Sequence, residues 1–140
     1  MYTLKTSASF DSAHFLSGYE GKCANIHGHR WKVEIEVKSN ELKDEGNIRG
    51  MIVDFSKLKE DLKSITGYLD HCFIIEKGTL KSKTMEALAD ENFRIEEMDF
   101  RPTAENFSRY FYTEMENKGY KVLKATVYET PNNCASYYMD

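Results

Sequence analysis

The residues best able to do chemistry in this 140-residue chain are its four histidines, His14, His27, His29 and His71. The first three fall within sixteen positions. His27 and His29 stand two apart, so in a strand they leave the same face, in phase with Trp31, Val33 and Ile35. His14 shares the parity of Leu4, Ala8 and Phe10, and an unbroken first strand brings it to that side as well. Neutral imidazole suits zinc, and three protein ligands with an open fourth position is the arrangement of catalytic zinc sites. Iron or copper accept the same donors. The plainer reading is a hydrogen-bonded polar pair at a strand entrance, with His14 unrelated. The in-phase third histidine and a nearby cysteine weigh toward metal.

Cys23, Cys72 and Cys134 are odd in number and widely spaced, which fits neither a disulfide framework nor a paired-cysteine zinc knuckle. They read as free thiols, small buried hydrophobes by default, and only Cys23 has neighbours that argue otherwise. Glu129 shares its parity with Leu123, Ala125 and Val127, which puts a carboxylate on an apolar face, an unfavourable place without a partner. Asp70 and His71 follow a helical stretch, where such a pair is ordinarily a cap or turn. Thr103 and Glu105 have ordinary readings as a helix cap and a first-turn acid.

The elements that position these residues follow from hydrophobic spacing. Residues 2 to 10 and 29 to 38 alternate as half-buried strands. Asn40 to Asn47 reads as a turn and Met51, Ile52 and Val53 as a short return strand, completing a hairpin. Asp54 can cap a helix carrying Phe55, Leu58, Leu62 and Ile65 and ending near Gly67. A second helix starts at Pro102 and Thr103, with Phe107, Tyr110, Phe111 and Met115 on one face and Gly119 at its end. Between the two, Met85, Leu88 and Ala89 could line a short helix, while Phe93, Ile95 and Met98 fit no template. Lys121 to Glu129 and Ala135 to Met139 close the chain as strands. This order predicts a single α+β domain with an antiparallel sheet covered on one side by helices.

Composition excludes several classes. A formal charge of -4 leaves no basic stripe for a nucleic-acid backbone. No apolar run approaches the roughly 20 residues of a membrane span, and the first ten residues lack the regions of a signal peptide, so a cytoplasmic protein is expected.

The segments Phe10-Asp11-Ser12-Ala13-His14 and Cys23-Ala24-Asn25-Ile26-His27-Gly28-His29 resemble the 6-pyruvoyltetrahydropterin synthase and 6-carboxytetrahydropterin synthase family. The resemblance continues, in the family's order, through Val53-Asp54-Phe55, Leu69-Asp70-His71, Pro102-Thr103-Ala104-Glu105-Asn106 and Tyr128-Glu129-Thr130. It implies the tunnelling fold, a four-stranded antiparallel sheet with two helices on one face. It also implies a homohexameric barrel of two stacked trimers with active sites at subunit interfaces. Further, it implies zinc on His14, His27 and His29, Cys23 as catalytic cysteine, and an Asp70 and His71 pair acting across a subunit boundary. Glu129 would hold the pterin edge, with Thr103 and Glu105 lining the pocket.

The three residues between Cys23 and His27 resemble the carboxy-forming branch of that family. That branch converts 7,8-dihydroneopterin triphosphate into a 6-carboxytetrahydropterin with acetaldehyde and triphosphate, in the queuosine pathway. The alternatives are pyruvoyl-forming chemistry, which eliminates triphosphate without cleaving the carbon chain, and a zinc- or pterin-binding domain without turnover. Residues 79 to 100 look longer than in compact relatives and bear on the pocket rim.

Overall fold

A computed structural model describes all 140 residues. Two long strands, β1 (Tyr2–His14) and β2 (His27–Ser39), pair antiparallel along their whole length. The alternation seen in sequence is the burial pattern: Phe10, Trp31, Val33, Ile35 and Val37 are buried on one face while Lys32 lies exposed on the other. Register sets Phe10 opposite Trp31, Ser12 opposite His29 and His14 opposite His27. The end of β1 and the start of β2 therefore meet at the histidines, joined by a loop holding a single 3-10 turn over Lys22–Ala24.

Helices α1 (Phe55–Leu69) and α3 (Ala104–Asn117) cover that face. Each starts where a side chain satisfies a main-chain N–H that the helix leaves unpaired: Asp54 accepts from Ser56 N at 2.8 Å and Thr103 from Asn106 N at 3.2 Å. Leu58, Leu62 and Leu69 of α1 and Phe107, Phe111 and Met115 of α3 are fully buried against the sheet. Burial of a side chain of this kind contributes about 1.5–3 kcal/mol, which outweighs the intrinsic propensity of either helix.

The sheet departs from the expected four antiparallel strands. It has six, in the order β4-β3-β1-β2-β5-β6, and is mixed. Strands β5 (Val122–Thr130) and β6 (Asn133–Tyr137) extend it antiparallel beyond β2, whereas β3 (Phe73–Glu76) lies parallel to β1, and β4 (Ile95–Met98) parallel to β3. A third helix, α2 (Ser82–Asp90), makes the crossover between those parallel strands. It occupies the ground of the short helix read around Met85, Leu88 and Ala89.

The return strand expected over Met51–Val53 does not form. Gly46 and Gly50, at φ 83° and 82°, turn the chain. The segment closes on itself through Lys43 N–H to Met51 O and Gly50 N–H to Lys43 O, not onto the sheet. No helix is long and apolar enough to cross a membrane.

Candidate metal centre and active site

The antiparallel register delivers His14, His27 and His29 to one point, and β5 adds Glu129. One donor atom from each of the four lies within 4.8 Å of all the others. Glu129 lies on their face by the same alternation as Ala125 and Val127, and it sits where β5 bulges against β6: Tyr128 pairs with Cys134 and Thr130 with Asn133, leaving Glu129 as the extra residue between. A bulge of this kind interrupts the ladder at one point, bends the strand there and increases its twist.

Two of the three imidazoles are oriented from behind. His14 Nδ1–H donates to Pro102 O at 2.7 Å and His27 Nδ1–H to Asn25 O at 2.7 Å. A carbonyl can only accept, so both Nδ1 atoms carry the proton and both Nε2 atoms present lone pairs to the cluster. Those two Nε2 atoms are 3.0 Å apart. His29 Nε2 is buried and, although 2.8 Å from Glu129 Oε1, lacks the in-line geometry of a hydrogen bond to it. Converging lone pairs and an orphaned buried nitrogen beside a carboxylate fit a metal cation.

The electrostatics favour the neutral rings that a metal requires. Burial pushes His14 down to about 4; the bond to Pro102 opposes this and the neighbouring His27 and His29 reinforce it. His29 is also lowered by burial, against the opposing charge of Glu129. Trp31 forms the floor beneath both, its ring centroid 4.9 Å from that of His14 and 5.4 Å from that of His29.

Cys23 and the Asp70 and His71 pair stand outside this cluster. Cys23, in the 3-10 turn, is a partly exposed free thiol. His71 follows α1 with a left-handed backbone, φ 56°, and its exposed ring Nδ1 lies 2.9 Å from Asp70 Oδ2. The pair is pinned to β1 twice, by Asp11 N–H to Asp70 Oδ1 at 2.8 Å and by His71 N–H to Asp11 O at 2.7 Å. The Asp11 N–H is the chief reason that the Asp70 carboxyl is held below its ordinary range, with His71 adding to it.

Arg94 Nη1–H donates to Asp70 O at 3.1 Å, a contact that sequence reasoning missed because the segment around it carries no periodic signal. A cavity of about 730 Å³ lined by Asp11, His29, Arg30, His71, Cys72 and Arg94 opens on this side. A second, of about 620 Å³, is lined by His29, Lys32, Tyr128, Glu129 and Pro131. His29 borders both.

Thr103 caps α3, as the sequence suggested, and Glu105 lies in the first turn of that helix. Their connection to the centre is through Pro102, whose carbonyl orients His14.

A family model described as 6-pyruvoyl tetrahydropterin synthase matches residues 3–140. The chain is 31% identical over 140 residues to the 6-carboxy-5,6,7,8-tetrahydropterin synthase of Haemophilus influenzae, covering 98% of this chain and 99% of that one. It is 39% identical over 90 residues to the Synechocystis protein of the same name, 64% of this chain and 70% of the relative.

Among solved structures, an uncharacterized protein from Wolinella succinogenes superimposes with a TM-score of 0.80 at 22% identity, over 99% of this chain and 98% of the other. The Caenorhabditis elegans 6-pyruvoyl tetrahydropterin synthase does so at 0.69 and 22%, over 99% and 96%. With the match running almost end to end through the three histidines, the chain belongs to the 6-pyruvoyl tetrahydropterin synthase family.

Proposed function

We propose that this protein is a zinc-dependent carbon-carbon lyase. It converts 7,8-dihydroneopterin triphosphate to 6-carboxy-5,6,7,8-tetrahydropterin, acetaldehyde and triphosphate, within queuosine biosynthesis. The observation that carries the reading is the near full-length similarity to a relative of that name, together with three imidazoles that converge on one point. His14, His27 and His29 hold the zinc, which when bound supplies positive charge to stabilise negative charge developing on the substrate's side-chain oxygens.

The chain's own residues then divide the remaining work. Glu129, bordering the 620 Å³ cavity, accepts from the amino group and ring N–H of the pterin, a two-donor edge that one carboxylate fits in parallel. Thr103 and Glu105 line the pterin pocket. Cys23 and His71 carry protons to and from the substrate side chain, with Asp70 holding the His71 ring in one orientation. The working form is a cytoplasmic homohexamer of two stacked trimers, in which His71 serves the site of a neighbouring subunit.

The test is incubation of the zinc-loaded protein with 7,8-dihydroneopterin triphosphate, following acetaldehyde and the pterin product together. Acetaldehyde in step with a 6-carboxypterin is the expected result. Triphosphate without acetaldehyde means pyruvoyl-forming chemistry, and neither product means a binding domain without turnover.

A further inference from the structure

The loop of residues 15–26 carries Cys23, and few hydrogen bonds tie it to the rest of the fold. Inside it, Leu16 N–H donates to Cys23 O at 2.8 Å, Tyr19 N–H to Leu16 O at 3.3 Å and Ala24 N–H to Gly21 O at 3.1 Å, so the loop closes on itself. One bond leaves it near its base, from the His27 ring to Asn25 O. The other comes from Arg101, whose Nη2–H donates to Ser17 O at 3.0 Å.

The same guanidinium lies over the ring of Tyr19, 5.7 Å from its centroid. The Tyr19 ring in turn lies against Gly21, where an added Cβ would sit 2.7 Å from Tyr19 Cε1. Gly21 is the residue that opens the 3-10 turn containing Cys23. A continuous set of contacts therefore runs from Arg101 through Tyr19 and Gly21 to the turn of Cys23.

Arg101 is itself fixed. Its carbonyl accepts from Thr103 N at 2.8 Å and from Asn106 Nδ2 at 3.0 Å, which ties it to the start of α3. Its Nε is buried without a hydrogen-bond partner. Such a burial is unfavourable, so the Ser17 and Tyr19 contacts must hold the side chain in place against the pull of solvent. The next residue, Pro102, supplies the carbonyl that orients His14.

We infer that Arg101 is a positioning residue: it clamps the loop that carries Cys23 to the segment that orients His14, and so fixes the thiol relative to the imidazole cluster. The inference rests on the reading of Cys23 as a proton carrier. Lysine is not equivalent, because a planar guanidinium donates at its edge while stacking by its face, whereas an ammonium is a point charge on a flexible stem.

Lys22 gives a direct probe: its side chain is exposed, and trypsin must draw several residues on either side of it into an extended form, so the rate of the cut after it reports opening of the loop. In the zinc-loaded protein without substrate, Arg101→Ala and Tyr19→Ala should each raise the rate of that cut on the order of tenfold. Zinc content should stay unchanged, and Tyr19→Phe, which keeps the ring face, should match wild type. With dihydroneopterin triphosphate, kcat of Arg101→Ala should fall by about 10- to 100-fold while KM moves by less than about threefold. The Arg101→Ala, Tyr19→Ala double variant should be no worse than Arg101→Ala alone, as expected of one shared contact path.

Cutting at the wild-type rate in both single variants overturns the inference, and so does faster cutting with unaltered kcat. Should Arg101→Ala not fold, Tyr19→Ala decides by the same two readings. Should wild-type protein fail to turn over the substrate, that failure counts against the lyase reading alone, and the rate of the cut after Lys22 still decides whether Arg101 holds the loop.

Discussion

His14 Nε2 and His27 Nε2 face one another at 3.0 Å while each ring's Nδ1–H is already committed to a main-chain carbonyl. A neutral imidazole has one N–H, so the contact sets lone pair against lone pair and needs a cation between the two nitrogens. His27→Ala should therefore drop bound metal from about one equivalent per chain to a small fraction, and a strong chelator should do the same to wild type. If metal is present at 100 times its dissociation constant, its removal should cost about 2.7 kcal/mol of stability. Elemental analysis with thermal unfolding checks this, and an unfolding temperature indifferent to chelator would sink it.

Glu129 stands close enough to His29 to be a fourth ligand, at 2.8 Å, and also borders the cavity of about 620 Å³. Glu129→Gln separates the roles. We expect metal content to be retained and pterin affinity to fall by roughly tenfold or more, the loss of a charge-assisted pair of hydrogen bonds. Titration calorimetry with a pterin gives the affinity. Metal lost in parallel would make Glu129 a ligand.

Asp70 accepts from the Asp11 amide and lies against the His71 ring, and its depressed pKa keeps it ionised throughout the neutral range. Asp70→Asn replaces an acceptor facing His71 with an amide that can present a donor instead. We expect kcat to drop on the order of 100-fold, with the far-UV spectrum unchanged. An Asn variant with wild-type turnover would remove the pair from the mechanism.

Trp31 is 0% exposed and touches His14, His29, Phe10 and Phe107. Trp31→Ala should cost about 3–5 kcal/mol. Because the same ring lies against His14 and His29, the affinity of the cluster for a metal ion should fall with it. Urea unfolding and a competitive zinc indicator measure the two effects separately, and an unmoved denaturation midpoint would contradict the packing argument.

Tyr120 O–H donates to Asp61, lowering the Asp61 carboxyl below its ordinary 3.8, while burial first and this bond second raise the Tyr120 phenol above its ordinary 10.0. The lowered acid contributes stability that is present above the unfolded value and lost as pH falls through the folded one. The raised phenol contributes below 10.0 and loses its share as pH rises through its folded value. Tyr120→Phe should then cost about 1 kcal/mol at pH 7 and little once the pH has fallen through the folded value of Asp61. Guanidinium titrations at the two pH values test it, and an equal loss at both would assign the effect to packing.

The long elements were legible because one face of each is buried. Parity alone put His14, His27 and His29 on the side of Phe10 and Trp31, and Asp54 and Thr103 marked the helix starts they cap. What escaped the sequence lies where that contrast is missing. β3 and β4 are four residues each and pair in parallel, so neither shows a face to read, whereas α2, though it buries no residue, still shows Met85, Leu88 and Ala89. Met51–Val53 has the composition of a strand, but the left-handed glycines before it send the chain elsewhere. The contacts of Arg94 with Asp70 and of Arg101 with Ser17 join positions 24 and 84 apart, beyond any local pattern.

The bulge between Tyr128 and Thr130 gives Glu129 an unusual kind of dependence. Its aim is encoded by how many residues β5 contains at that point as much as by which residue it is. Removing Tyr128 would close the bulge and put the glutamate one position after Val127, turning the carboxylate to the opposite face. A library of substitutions would never sample that change, whereas a single-codon deletion would. For this site, chain length is a heritable variable in its own right.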